Sequence, residues 1–250
     1  MSKRTLRGVA LLAMLTLACS GGPLLPKGSP EEQLARARYY LDDGDGTKAL
    51  EAYRLLSQTL QGTEHEEESR LGMARAHRES GDYFAAVQEY EGFQRRFPRS
   101  PLVGDAVLEI AETYVEQRAK PEYDDDWNEK AIRQYEDFLA GYPRHPRLEE
   151  GRAGLLNARN HAALKELKNG ITYIKLRRFR AARFYFDIVI DRWAGTDVVP
   201  EAHYESGRTF ELQKNWEEAA SHYRTLAEEY PDSPFAEKAR ERLARMEESS

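Results

Sequence analysis

The phrase GDYFAAVQEYEGFQRRFPRSP (residues 81–101) returns 133 residues later as KNWEEAASHYRTLAEEYPDSP (residues 214–234). Both stretches follow one plan: a turn, an aromatic residue, an alanine, a tyrosine, an aromatic–proline pair and a closing Ser-Pro. Self-similarity at a fixed offset is the signature of repeat architectures. The chain is therefore predicted to stack several copies of one helical unit.

The residues before and after each phrase define the whole unit. With Pro98 and Pro231 at position 32 of a unit of about 34 residues, a small residue falls at position 8, an aromatic or His near 11 and tyrosine at 24. This pattern resembles the tetratricopeptide repeat, a helix–turn–helix unit. Five copies can be placed, and each has an alanine at position 20: Ala49, Ala86, Ala131, Ala182 and Ala219.

The copies begin near residues 30, 67, 104, 163 and 200. The third copy is split by an insertion near residues 118–127, and the segment that follows it has no break signal, so we expect one long linking helix over 147–177. A final helix over 235–248 would cap the stack. The predicted fold is an all-α, right-handed tetratricopeptide-repeat solenoid with an N-terminal block (30–146) and a C-terminal block (147–250).

The first residues indicate export. Residues 1–18 join a basic start to a short apolar run, which is typical of a signal peptide and too short to span a bilayer. Cys19, the one cysteine of the chain, follows at once, and LTLAC resembles a lipobox with Thr16 in place of the usual leucine. We expect a lipid on Cys19, a tether over 19–29 and an outer-membrane location; an ordinary secretory signal is the alternative.

Charge argues against nucleic acid as a partner. Loss of residues 1–18 removes three basic and no acidic residues, which takes the net charge from −6 to −9. A nucleic-acid-binding protein would show a basic surplus or stripe.

The combination of lipobox, tether and five repeats resembles the BamD family of the outer-membrane β-barrel assembly machinery. The stretches most like that family lie at residues 81–115 and 164–193. The resemblance implies a scaffold that docks the periplasmic domains of a BamA-like insertase, receives unfolded outer-membrane proteins and contacts other lipoproteins of the machinery. The alternative is another tetratricopeptide lipoprotein that scaffolds envelope division, pilus or secretion machinery.

Two surfaces are candidate binding sites. The first helices of repeats 1 and 2 are predicted to line a concave groove that could hold an apolar peptide and its terminal carboxylate. The predicted groove residues are Leu34, Arg38, Leu41, Leu71, Arg75 and Arg78. Pairing of these arginines with Glu31, Glu68 and Glu79 is an equal alternative.

The second surface is a basic cluster in an acidic chain. It lies around the predicted turn of repeat 4, where it could dock an acidic partner surface or lipid headgroups, or simply be a solvated turn. The family's insertase-contacting arginine falls near Tyr185. The predicted docking residues are Lys175, Arg177, Arg178, Arg180, Arg183 and Tyr185.

Catalytic and metal-binding patterns are not found. The six histidines form no HExxH, and Cys19 would be capped by lipid. The acidic stretches at 42–47 and 122–129 do not fit a calcium loop and are typical of turns and solvated loops, although the second projects from the solenoid and could contact a partner. We expect a non-enzymatic protein without a cofactor or metal.

Overall fold

The computed structural model describes residues 28–118 and 126–248. These residues form eleven α-helices and no strand, which confirms the predicted fold class. The helices are α1 Pro30–Asp42, α2 Gly46–Thr59, α3 Glu66–Glu79, α4 Tyr83–Arg96, α5 Val103–Arg118, α6 Asp126–Gly141, α7 Leu148–Lys175, α8 Phe179–Arg192, α9 Val199–Glu211, α10 Trp216–Glu229 and α11 Pro234–Glu248.

Each repeat is a pair of antiparallel helices, joined by a short turn in repeats 1, 2, 4 and 5, and successive pairs stack in chain order. The turns inside repeats therefore share one edge of the solenoid, and the connections between repeats share the other. Local sequence sets the helix starts: Ser29 and Glu32 form a capping box on α1, while Asp45 and Asp82 cap α2 and α4. Each cap satisfies backbone N–H groups that have no partner within the helix.

Small residues and rings meet wherever two helices touch. The position-20 alanine is fully buried in every repeat, as is the position-8 alanine of the first three. The ring of Tyr53 lies so close to Gly72 that a Cβ there would approach it to 2.3 Å. The same ring position in repeat 5, Tyr223, packs on Gly207. These contacts fix the distance between helices, since the core is close-packed.

The long linking helix is confirmed as the single 28-residue helix α7. Its first half acts as the partner of repeat 3, because Gly154 receives the ring of Tyr135 and Gly151 that of Phe138. Its second half is the first helix of repeat 4, where Gly170 receives Phe186. One helix therefore supplies two successive layers, which accounts for the long interval between the third and fourth copies.

The hydrophobic clusters are linked from repeat 2 to repeat 5. Leu155 packs against the clusters on both sides of α7, and Tyr230 joins the cluster of repeat 4 to that of repeat 5. The predicted cap is confirmed, since α11 lays Phe235, Leu243 and Met246 against the last cluster. The division into blocks at residue 147 stays a prediction.

Some predictions fall on residues outside the described ranges. These are the signal peptide, Cys19, the tether up to residue 27 and residues 119–125 of the predicted insertion.

Candidate protein-interaction surfaces

Two of the predicted groove residues, both leucines, are buried in the core. Leu34 and Leu71 are each 1% exposed, so the prediction that they line an open surface is wrong. Both point from their own helix into the layer beneath it, where they fill the core beside the position-8 alanines. Leu41 is half-buried against the cluster of repeat 1. No apolar floor for a peptide is left at these three positions.

The groove arginines are paired with glutamates of the next repeat. Arg38 on α1 hydrogen-bonds Glu68 on α3, as the alternative pairing predicted. Arg75 on α3 donates two bonds from Nε and one from Nη2 to the Glu109 carboxylate, at 2.6–3.1 Å. Arg78 binds both Glu112 and Glu116 of α5. Arg75 and Arg78 are therefore engaged with α5, and not with Glu68 and Glu79 as predicted.

Arg147 extends this network to the start of α7. Its guanidinium contacts Glu109 at 3.3 Å and Glu112 at 2.6 Å. Burial raises the pKa of Glu112 even beside these arginines. The sequence did carry a signal for the network, because Arg75 and Glu109, and likewise Arg78 and Glu112, are 34 residues apart, about one helical turn short of the 37-residue interval between copies 2 and 3. The network joins repeats 2 and 3 to α7.

The basic cluster lies where it was predicted, at the α7–α8 turn, but its members differ in their roles. Arg177, Arg178 and Arg180 are exposed, and within the described part of the chain no carboxylate lies within ion-pair distance of them. Lys175 is also exposed. Arg183 instead hydrogen-bonds Gln213 and stands over the ring of Phe210, 4.5 Å from its centroid. It joins repeat 4 to repeat 5.

Tyr185 lies apart from these cations, on the face that α8 shares with α7. Its ring stacks on Tyr173, with centroids 5.3 Å apart and planes inclined by 13°. Phe184 meets Tyr185 edge-on at 5.7 Å. The predicted docking residues therefore form two surfaces: a cationic turn and an aromatic face of α8.

Sequence reasoning missed the apolar part of the cationic surface. Leu176, Phe184, Leu212 and Trp216 are 52–62% exposed. The α7–α8 and α9–α10 turns are neighbours, since Gln213 lines the same open groove of about 640 Å³ as Arg177, Arg180 and Phe184. We call residues 175–184 and 212–216 the basic edge. It holds six basic residues and no acidic residue.

The backbone of the basic edge departs from that of the other turns. In repeats 1 and 2 the turn residue before the cap is glycine, Gly44 and Gly81, with φ of 76° and 75°. The same place in repeats 4 and 5 holds Arg177 and Lys214, with φ of 54° and 63°. A left-handed conformation costs a non-glycine residue about 1 kcal/mol. The following residues, Arg178 and Asn215, also make no side-chain cap bond, unlike Asp45 and Asp82.

A buried histidine pair lies between α9 and α10. His203 Nδ1 is 3.3 Å from His222 Nδ1, and His222 Nε2 is 3.2 Å from the Ser206 hydroxyl. Burial lowers the pKa of His203 to about 4, and the pKa of His222 is also lowered. Ser206 is fully buried, so its hydroxyl is out of reach of a substrate. The pair is a packing contact between α9 and α10.

Two further features were sought in the described ranges. No group of three or more His, Cys, Asp or Glu side chains there is arranged to hold a metal ion. No described helix is both long enough and apolar enough to cross a membrane.

Family profiles agree with the helix pairs. Two profiles described as tetratricopeptide repeat match residues 68–100 and 167–234, which cover repeat 2 and most of repeats 4 and 5. The chain carries tetratricopeptide repeats. Repeats of this family form a scaffold for protein interactions and are typically non-enzymatic. No curated protein matches the sequence.

Several solved structures are similar in fold. A tetratricopeptide repeat protein from Parabacteroides merdae is 18% identical, with 87% of this chain and 73% of that chain covered and a TM-score of 0.38. A thermophilic repeat protein from Thermus thermophilus is 17% identical, with 87% and 98% covered and a TM-score of 0.39. The TPR2AB domain of yeast Sti1, in its pHSP90 complex, is 15% identical, with 83% and 80% covered and a TM-score of 0.44.

Proposed function

We propose that this tetratricopeptide-repeat protein is a non-enzymatic scaffold of the outer-membrane β-barrel assembly machinery. It is anchored by a lipid on Cys19 at the periplasmic face of the outer membrane and has no other cofactor. It docks the periplasmic domains of a BamA-like insertase, receives unfolded outer-membrane proteins and lies beside other lipoproteins of the machinery.

The observation that carries this proposal is α7. A single 28-residue helix closes repeat 3 and opens repeat 4, as the sequence predicted for residues 147–177, and its second half lies in the stretch 164–193 that most resembles the BamD family. The lipobox-like LTLAC and five repeats add to it. The repeat fold alone would suit many scaffolds, so α7 and the N-terminal signal together favour this one.

The aromatic face of α8 is the proposed insertase contact. Tyr185 stands near the family's contact position, and its stacking on Tyr173 holds the ring in place before a partner arrives. Aromatic side chains that are already ordered contribute strongly to interfaces because little conformational entropy is lost on binding. Docking here places the insertase against the C-terminal repeats.

The test is co-purification from envelope membranes together with a pull-down using a BamA periplasmic fragment. The fragment should bind the native chain and bind Tyr185→Ala at least tenfold more weakly, while Tyr39→Ala, an exposed tyrosine of repeat 1, should leave binding unchanged. Failure of the native chain to bind, with normal outer-membrane barrels after depletion, would refute the proposal. Companions from division, pilus or secretion machinery would assign the chain to that class of scaffold.

The lipid anchor has a separate test. A palmitate analogue fed to cells should label the chain, and Cys19→Ala should abolish the label. Persistent labelling in that variant would exclude Cys19 as the site.

Receipt of unfolded proteins is proposed for the concave side of repeats 1 and 2, now through Arg38 rather than the leucines. The Arg38 side chain is 56% exposed, so it can exchange Glu68 for a peptide carboxylate, whereas Arg75 is held by three bonds to the buried Glu109. We expect Arg38→Ala to weaken binding of a barrel-protein C-terminal peptide several-fold without loss of stability. Arg54→Ala, an exposed arginine of α2, is the control, and equal affinities in calorimetry would remove the groove proposal.

A further inference from the structure

The basic edge joins two features that a soluble surface rarely combines. Its apolar members, Leu176, Phe184, Leu212 and Trp216, each keep more than half of their surface in water. Around them stand Lys175, Arg177, Arg178, Arg180 and Lys214, all exposed. Contiguous exposed apolar side chains mark interaction sites, and the cations specify an anionic partner.

The backbone at this edge indicates that the cations are not incidental. Two turns independently place a basic residue where repeats 1 and 2 use glycine, and both lack the aspartate cap. Strained backbone at an exposed turn points to a function that the strain serves. The same edge is acidic in repeats 1 and 2, at residues 42–45 and 79–82, so attraction to an anionic surface is confined to the C-terminal end.

We propose that the basic edge docks on the anionic surface of a phospholipid bilayer. Trp, Phe and Leu at the rims of two turns can enter the headgroup region while the Arg and Lys side chains meet phosphates. The groove between the turns, with three arginines along it, suits a phosphate headgroup, since guanidinium groups bind phosphate oxygens in pairs. Of the apolar side chains, Phe184 lines this groove, and Leu176, Leu212 and Trp216 are exposed at the two turns beside it.

The length of chain before α1 bears on how far the folded body can lie from the bilayer. The 13 residues of α1 separate its start from the turn edge by about 20 Å. The tether from Cys19 to Ser29 reaches about 35 Å when extended. A chain anchored at Cys19 therefore keeps its folded body near the bilayer that the basic edge is proposed to contact, and one lipid anchor plus one basic patch is a stable combination. Only this reach rests on the proposed anchor; the edge itself does not.

The test uses the unlipidated chain, residues 20–250, and vesicles of phosphatidylcholine with or without about one third phosphatidylglycerol. The chain should float with the anionic vesicles only. Arg178→Glu/Arg180→Glu/Lys214→Glu should bind about a hundredfold more weakly, because each basic residue near an anionic surface contributes about tenfold or less. The matched control is Arg95→Glu/Arg99→Glu/Arg144→Glu. It changes the net charge by the same amount at exposed residues of the other edge, where the connections between repeats lie, and it should bind like the native chain.

A second measurement reports the apolar contact. Vesicles of brominated phosphatidylglycerol should quench the tryptophan fluorescence of the native chain. The Trp216→Phe variant should lose that quenching. The proposal is overturned if the native chain ignores anionic vesicles, if both triple variants lose binding equally, or if Trp216 is not quenched. Loss of the insertase pull-down in the first triple variant, with no vesicle binding by the native chain, would instead assign the edge to an acidic protein. Vesicle binding with a failed pull-down would leave this inference standing and refute the proposed function.

Discussion

At the scale of single residues, the turn of repeat 4 is more basic and less stable than the turns of repeats 1 and 2. Arg177 occupies a left-handed conformation that glycine adopts at Gly44 and Gly81, and Arg178 replaces the capping aspartate of those turns. Restoring the ordinary pair should therefore help the fold. We expect Arg177→Gly/Arg178→Asp to raise the free energy of unfolding by about 1–2 kcal/mol, from relief of the strain and the gained cap. Urea denaturation followed by circular dichroism measures it.

The control separates backbone effects from charge. Arg180→Gly removes a neighbouring charge inside the first turn of α8, where glycine weakens the helix by up to about 1 kcal/mol. If both variants shift stability in the same direction, charge removal and not backbone geometry is the cause. The stabilised variant should also lose affinity for anionic vesicles. That result would show that the less stable native turn, with Arg177 and Arg178, serves vesicle binding.

The sequence predicts whether a side chain is buried at positions that the repeat pattern defines, and predicts it less well elsewhere. The buried alanines and the rings at position 24 follow from spacing alone. The prediction for Leu34 and Leu71 is wrong because it assumes the helix orientation of a general repeat unit, whereas in this chain both side chains are buried. The positive φ of Arg177 has no signal in the sequence, since an arginine is ordinarily expected to avoid it.

At the scale of helices, the contact between α9 and α10 is sensitive to pH. His203 faces His222 on α10 and Tyr230 just after α10. Phe210 stacks on the other side of the pair, against His222, and Asp191 of α8 partly offsets the effect of burial on the pKa of His203. The pKa of His203 is about 4 in the folded chain and about 6.5 when unfolded. The unfolded chain thus binds more protons between these values, so stability is complete above pH 6.5 and falls as the pH falls towards 4.

The expected effect is a loss of about 2 kcal/mol between pH 7.5 and pH 5 from this histidine. His203→Gln should remove that part of the pH dependence while keeping a polar side chain in the contact. Urea denaturation midpoints at pH 7.5, 6.5 and 5 measure how stability depends on pH in the native chain and in the variant. Equal slopes in the native chain and the variant would show that other groups set the acid sensitivity.

At the scale of the whole molecule, α7 connects repeats 1–3 to repeats 4 and 5 through a single continuous helix. Residues 147–177 gave no break signal, which made this helix predictable, but its double role did not follow from the sequence. That role depends on Gly151 and Gly154 meeting repeat 3 while Gly170 meets repeat 4, two contacts about four turns apart on one helix. The ion-pair network of Arg75, Glu109 and Arg147 adds a second connection to the start of α7.

Breaking α7 between these contacts should uncouple the two runs. His161 is exposed near the middle of the helix, so His161→Pro interrupts it without removing a core side chain, at a local cost of about 3 kcal/mol. In a solenoid each layer is stabilised by its neighbours, and a broken layer ends that coupling. We expect the native chain to unfold in one transition and the variant in two.

Two tryptophans report on the two sides. Trp127 stacks on Tyr114 in repeat 3, and Trp193 is buried behind repeat 4. In single-tryptophan versions of the native chain their urea midpoints should coincide, and in His161→Pro they should separate, with His161→Ala behaving like the native chain. Separate midpoints already in the native chain would show that the blocks at 30–146 and 147–250 are independent domains. Coinciding midpoints in the proline variant would show that the continuous core around Leu155, and not the helix backbone, couples them.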